Sequence, residues 1–404
     1  MSALAYISQS SGNEVKGSDL NYLNKPNCLS EIDVFNQPYL EGIKWADFIV
    51  CSSAVKENEE VCLAKKLNKK ILSRGEYLGE ISKDYQRVIA VAGSHGKTTT
   101  TAMIYNILKV SGFNPSLHLG GSLIGEGNVV LGDKDYLVTE ACEYCDNFLY
   151  LKPYLSVVTN IESEHLDYFK TFENELKSFQ KFKNQSAIVV DNFGAYAAKN
   201  ARINSFGNVS FSLYKNGVKI DRIYLKVGGV YNVKNALYAL ISCEKLGVNY
   251  CNIKLGLESF RGVKKRCEEV KSAYPFLTFV DYAHHPKEIK ESASYFKKIC
   301  KQKCIAIFQP HTYSRTQNFF KDFIKSLSIF DEVIFYKTYS AREKPSAGLS
   351  ETDLYNSFQK TKKTCFVFYD EFELKSRLKN YKKGDIVVFL GAGDLPDKFD
   401  FMQI

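Results

Sequence analysis

The run Val88-Ile-Ala-Val-Ala-Gly-Ser-His-Gly-Lys-Thr-Thr-Thr-Thr101 joins an apolar strand to a helix through Gly93, Gly96, Lys97 and Thr98. Few sequence features constrain a fold as tightly. The glycines let backbone N–H groups approach phosphate oxygens, and the N-terminus of the following helix adds partial positive charge. The lysine neutralises β- and γ-phosphates, and the threonine hydroxyl suits Mg2+. The segment therefore predicts a strand–loop–helix unit that grips a nucleotide phosphate, ATP being the nucleotide expected. Its spacing is shorter than the general form, which would place glycine at Val91, five residues before Gly96. The competing reading is an ordinary glycine-containing turn.

At 404 residues the chain is too long for one core of usual size, so two or three domains are expected. A hydrophobic content of 45% with 25% charged residues is globular, and no stretch is apolar for long enough to cross a bilayer, so membrane insertion is not expected. Residues 1–20 lack the basic start and apolar middle of a secretory signal, which predicts a cytoplasmic protein. Eleven scattered cysteines fit reduced thiols better than a disulfide framework. The pair Cys142 and Cys145 has no second CxxC or nearby histidine pair to complete a zinc site, so packing is its expected role. The net charge of +9 comes mostly from dispersed lysines without a compact arginine-and-aromatic cluster, so nucleic acid is not an expected partner.

Segments rich in Val, Ile and Phe alternate with stretches of helical periodicity, which predicts α/β architecture with mainly parallel sheets. Three blocks are read. Residues 1–85 carry strands at Asp47–Cys51 and Lys70–Ser73 and run into the polar segment Ile81–Arg87, read as a linker. Residues 86–267 hold the phosphate loop and strands at Tyr136–Thr139 and Leu155–Thr159. Residues 268–404 hold strands at Leu277–Asp281, Cys304–Phe308, Glu332–Phe335, Cys365–Phe368 and Ile386–Leu390, which read as another doubly wound sheet. Ligands of such sheets sit beyond the carboxyl ends of strands, which points to Glu140 and to the segment from Asn160 to His165. Five of the six histidines, His95, His165, His284, His285 and His311, fall at strand ends or loops beside charged residues or glycine, a joint placement that favours a polar active site.

Seven motifs in one order carry a resemblance that covers nearly the whole chain. They are Ala92-Gly-Ser-His-Gly-Lys-Thr-Thr99, Glu140-Ala-Cys-Glu-Tyr144, Thr159-Asn-Ile-Glu-Ser-Glu-His-Leu-Asp167, Asn232-Val-Lys-Asn-Ala236, Phe260-Arg-Gly-Val-Lys-Lys-Arg266, Asp281-Tyr-Ala-His-His-Pro286 and Gly391-Ala-Gly-Asp394. Together they resemble the Mur ligases, ATP-dependent enzymes that build the peptide stem of bacterial peptidoglycan. Gln309-Pro-His-Thr-Tyr-Ser-Arg-Thr316, with Tyr339-Ser-Ala-Arg-Glu343, is most similar to the branch that adds L-alanine to UDP-N-acetylmuramate.

The resemblance implies a three-domain α/β architecture. Residues 1–85 would form a Rossmann-like UDP-substrate domain, 86–267 a central P-loop-type ATP domain, and 268–404 a C-terminal Rossmann-like domain. It implies that Gly93, Ser94, His95, Gly96, Lys97, Thr98 and Thr99 cradle ATP, and that Thr98, Glu140 and His165 hold Mg2+ near the γ-phosphate and substrate carboxylate. Asn235 falls where the family contacts adenine, and Arg266 and Asp281 where it holds ATP phosphates and ribose from across a domain boundary that closes on substrate. His285 and Arg315 fall where it handles the incoming amino acid, and a guanidinium suits a carboxylate. The implied partners are UDP-N-acetylmuramate and L-alanine, in a monomer or homodimer.

One departure stands out. Family members open with a strand and a Gly-x-Gly-Gly-x-Gly turn before Met-Ser, whereas this chain opens Met1-Ser-Ala-Leu-Ala5. That predicts an empty sheet position and fewer backbone donors for the UDP diphosphate. Gly17–Leu20 and Cys51–Val55 still match the UDP-domain loops, so a start assigned too late is the favoured explanation. A murein-recycling peptide ligase and a nucleotide-binding interaction protein without ligase activity remain the alternatives.

Overall fold

The computed structural model describes residues 1–19, 27–36, 38–52, 55, 57–163, 165–341 and 343–403. Leu20, Ser53, Ala54, Glu164 and Arg342, which belong to motifs quoted above, lie outside the described residues. The chain divides into two compact units. The first comprises Met1–Ala198, Leu213–Ile223 and Lys234–Phe260, and the second Lys199–Ser212, Tyr224–Val233 and Arg261–Ile404.

In the first unit, β1 (Lys16–Ser18) pairs with β2 (Asp33–Phe35), and β3 (Phe48–Cys51) with β4 (Lys70–Ser73), both parallel. Among the described residues, the Rossmann-like sheet expected in residues 1–85 is present as two separate parallel pairs. A six-stranded sheet follows, made of β5 (Arg87–Ala92), β6 (Pro115–Leu123), β7 (Gly127–Val130), β8 (Asp133–Glu140), β9 (Leu155–Val158) and β10 (Ile188–Val190). Its order is β10-β9-β5-β8-β6-β7, parallel except for the β6–β7 pair, so the phosphate-loop strand β5 is internal.

The helix Lys97–Val110 forms because Met103, Ile104, Ile107 and Leu108 share one face and reach zero exposure, and Gly112 at φ 89° turns the chain out of it. The expected linker at Ile81–Arg87 is a correction. The helix Arg74–Ser82 runs into it, and Ile81 and Tyr85 bury themselves in a core with Ala3, Leu4, Ile7, Val88, Ala90 and Phe148. A polar surface pattern hid two apolar anchors that tie the N-terminal segment to the central sheet.

Strands β11 (Tyr196–Ile203), β12 (Val209–Lys215) and β13 (Val218–Leu225) form a separate small sheet. In the second unit β14 (Glu268–Val270), β15 (Leu277–Asp281), β16 (Cys304–Phe308), β17 (Glu332–Tyr336), β18 (Thr364–Phe368) and β19 (Ile386–Leu390) assemble in the order β14-β15-β19-β16-β17-β18. Every pair but β14–β15 is parallel. Two apolar clusters bury this sheet, one around Phe279, Phe296, Phe308, Phe323 and Phe335, the other around Val280, Ile305, Ile307, Val387 and Phe389. Burial on both faces is what a parallel sheet needs, and alternate residues of β15 and β16 supply the two clusters. All eleven cysteines are free thiols. Among the described residues no helix is long and apolar enough to cross a membrane.

Candidate active site

In the first unit the phosphate loop is built by conformation and clamped by its neighbour strand. Gly93 at φ 128° and Gly96 at φ 84° adopt backbone angles that favour glycine. A Cβ at Gly93 would collide with the Thr159 hydroxyl, and one at Gly96 with the Asn235 side-chain oxygen. Asn160 grips His95 from both sides, its Oδ1 accepting from His95 N at 2.9 Å and its Nδ2 donating to His95 O at 2.8 Å. The Thr159 hydroxyl donates to His95 O at 2.6 Å, and Ser94 Oγ accepts from Glu162 N at 2.8 Å. The first polar residues after β9 therefore brace the loop. Gly96 is the helix N-cap and offers no side-chain acceptor, so the first-turn N–H groups stay available to an anion.

Lys97 folds back onto this loop. Its Nζ donates to Gly93 O, to Ser94 O at 3.2 Å and to Glu143 Oε1 at 3.0 Å. Burial works to lower its pKa, but Glu143, with smaller contributions from Cys142 and Glu140, outweighs burial and holds it above the ordinary lysine value. Glu143 is only 2% exposed. Burial pushes its pKa up, and Lys97 and His165 together bring it below the ordinary value, so the pair is charged.

His165 Nε2 stands 3.6 Å from Glu143 Oε1, with its ring 4.9 Å from that of Tyr144. Glu140, at the end of β8, accepts from Gly120 N at 2.7 Å. Asn235 is buried with its amide against Gly96, so this expected adenine contact sits over the loop itself. Lys97, Glu140, His165 and Asn235 are thus gathered around one loop. Glu143 was the residue that motif reasoning left without a role.

The turn carrying Glu143 is strained. Cys145 and Asp146 have φ of 55° and 56°, a left-handed conformation that costs non-glycine residues about 1–2 kcal/mol each. It is held by Asp146, which accepts from Tyr168 OH at 2.7 Å and from the Ser178 hydroxyl, and by Asn147 Nδ2, which donates to Tyr144 O at 2.6 Å.

In the second unit the polar residues gather beyond the carboxyl ends of β15, β16 and β17. Arg315 Nη1 donates to His311 Nδ1 at 3.0 Å, so His311 is neutral with its hydrogen on Nε2. His284 Nδ1 lies 3.0 Å from Tyr282 O, an atom that only accepts, which puts the hydrogen on Nδ1 and leaves a lone pair on Nε2. The two imidazoles stand 6.1 Å apart. Burial first, and the Arg315 charge with it, lowers both pKa values to about 4. The loops after β16 and β17 are clipped together where Thr312 N donates to Tyr339 O and Tyr339 N to Pro310 O, each at 2.9 Å. Glu343 accepts from Ser314 N at 2.9 Å, which seats the short helix Tyr313–Asn318 that carries Arg315.

Two expected site residues have structural partners of their own. His285 is the N-cap of the helix Pro286–Ile299, accepting from Lys287 N at 3.3 Å and packing edge-on against Phe319 at 4.6 Å, whereas its neighbour His284 joins His311 and Arg315. Pro286 at the first helical position was the signal for this, because the residue before such a proline is the cap. Asp281 is 3% exposed, and its carboxylate accepts from Cys267 Sγ at 3.2 Å, Ala283 N at 3.2 Å and the Ser292 hydroxyl. Arg266 lies over the Tyr282 ring at 4.9 Å, with Glu288 3.9 Å away.

Residues 91–194 match the Mur ligase middle domain and residues 265–393 the Mur ligase glutamate ligase domain. A UDP-N-acetylmuramate--L-alanine ligase of Caldicellulosiruptor saccharolyticus is 38% identical over 98% of this chain and 94% of its own length. One of Caldicellulosiruptor bescii is 37% identical over 100% and 95%. The crystal structure of UDP-N-acetylmuramate-alanine ligase from Thermotoga maritima superposes with a TM-score of 0.85 at 26% identity, covering 98% of this chain and 94% of that one. With the phosphate loop and the arginine–histidine cluster in place, these similarities establish that the chain belongs to the Mur ligase family.

Proposed function

We propose that the protein is a UDP-N-acetylmuramate:L-alanine ligase acting in peptidoglycan synthesis. An oxygen of the lactyl carboxylate attacks the γ-phosphorus of ATP and ADP leaves. The neutral amine of L-alanine then adds to the acyl phosphate carbonyl, loses a proton and expels inorganic phosphate, leaving an amide. Such a step needs cations against crowded negative charge and an uncharged amine held for attack.

Lys97 and the loop N–H groups take the ATP phosphates. Thr98, Glu140 and His165 are the residues that would hold Mg2+. Among the described residues no three His, Cys, Asp or Glu side chains converge as a metal cage. That suits magnesium, which takes one or two carboxylates and completes its shell with phosphate oxygens and water. When bound it offsets charge between the γ-phosphate and the attacking carboxylate. Asn235 serves adenine, and Arg266 and Asp281 the ATP side of the C-terminal domain, Asp281 acting through its buried network. Arg315 takes the alanine carboxylate, and the His284 Nε2 lone pair accepts a hydrogen from the amine, whereas the resemblance places His285 with the incoming amino acid. We assign residues 1–85 to the UDP moiety and 86–267 and 268–404 to the ATP and amino-acid domains. The enzyme would work in the cytoplasm, where both nucleotides are found.

The observation that carries this reading is the Arg315–His311 contact beside His284, a carboxylate-and-amine set in a chain that also carries the phosphate loop. The test is product mass. With ATP, Mg2+ and UDP-N-acetylmuramate, L-alanine should give a product heavier by one alanyl residue. A product formed with the stem tripeptide and not with alanine would refute the reading.

A further inference from the structure

Glu143 takes no part in the roles above, yet it is the most buried carboxylate around the loop. One oxygen, Oε1, serves two groups, Lys97 Nζ at 3.0 Å and His165 Nε2 at 3.6 Å. The other, Oε2, has no hydrogen-bond partner among the described residues. Lys97 has three ammonium hydrogens, and its three acceptors are Glu143, Gly93 O and Ser94 O. No hydrogen is left for a phosphate until one of these contacts breaks. An arriving phosphate also meets the field of a buried carboxylate, which is strong where water is excluded.

Packing alone does not call for a carboxylate here. The left-handed pair Cys145 and Asp146, pinned through Tyr168 and Ser178, turns the chain so that Glu143 reaches a lysine 46 positions earlier in sequence.

We propose that Glu143 is a positioning residue that holds the Lys97 ammonium on the phosphate loop when no nucleotide is bound and keeps the His165 ring beside it. The carboxylate opposes nucleotide entry and favours the chemical step, so its removal moves binding and turnover in opposite directions. A purely structural residue would weaken both. This inference rests on the reading of Lys97 as the phosphate lysine, not on the identity of the amino acid joined.

The test uses the full chain and ADP in EDTA, followed by calorimetry, with kcat measured separately by alanine-dependent phosphate release. Glu143→Gln should bind ADP at least fivefold more tightly than wild type while kcat falls at least tenfold. Glu143→Gln binding ADP no tighter, or turning over as wild type does, overturns the proposal. Should that variant not fold, Glu143→Asp decides, since it keeps the charge but shortens its reach. ADP binding equal to or tighter than wild type with a lower kcat supports the proposal, and weaker binding or an unchanged kcat overturns it. Wild-type protein that fails to bind ADP, or a Lys97→Ala variant that binds it equally well, removes the phosphate-lysine reading together with this one.

Discussion

At the residue scale the outcome at Lys97 depends on where its charge is balanced. Removing the lysine takes away a phosphate contact, which predicts a loss of turnover of at least ~100-fold for Lys97→Ala. It also leaves Glu143 charged and buried without its cation, which predicts a destabilisation of about 3 kcal/mol in a denaturant titration. The double variant Lys97→Ala/Glu143→Gln should regain much of that stability but none of the activity. Arg315→Ala should raise the alanine requirement by ~10–100-fold, the scale of one charge-assisted hydrogen-bonded contact, with ADP binding unchanged in the same calorimeter.

The histidines set a pH dependence. Unfolded imidazoles titrate near 6.5, whereas burial lowers His284 and His311 to about 4 and His118 to about 3. Between those values the unfolded chain binds more protons, so stability is fully present above pH 6.5 and declines as pH falls toward 4. Melting temperature across pH 4–8 checks the sign. Lys97 and Arg315 stand out in the sequence because their motifs state the chemistry proposed for them. Glu143 does not, because a carboxylate 46 residues from its partner leaves no spacing to read. The choice between His284 and His285 turned on a helix start that only Pro286 marks.

At the element scale the loop is a strand end clamped by the next strand. Gly96→Ala would meet the Asn235 amide and force alanine into a left-handed backbone, a cost of about 1–2 kcal/mol before the collision is counted. ADP affinity should fall at least tenfold, and unchanged affinity would show that the loop tolerates the shift. The long parallel strands were readable because sheets buried on both faces are written as continuous apolar runs, as in Cys304–Phe308 and Ile386–Leu390. The antiparallel β6–β7 pair and the small sheet β11–β13 were missed, since Tyr196–Ile203 buries only Tyr196 and carries no apolar run. Asn160 looked like a ligand contact, and its amide proved to be the loop's brace.

On the scale of the whole molecule, the parallel strands β5, β8 and β9 of the first unit and β15–β19 of the second were legible in sequence, whereas the packing of the segment between the N-terminal strands and the central sheet was not. The segment 81–87 reads as polar spacing, yet Ile81 and Tyr85 sit in one core with Ala3, Ile7 and Ala90. In the proposed reaction ATP activates a carboxylate for attack by alanine, and the fate of the carboxylate oxygen reports that step. UDP-N-acetylmuramate carrying 18O in its lactyl carboxylate, given to the enzyme with ATP, Mg2+ and L-alanine, should deliver one labelled oxygen to each phosphate released. Phosphate without label, released whether or not alanine is present, would mean that water and not the carboxylate receives the phosphoryl group, and would contradict carboxylate activation.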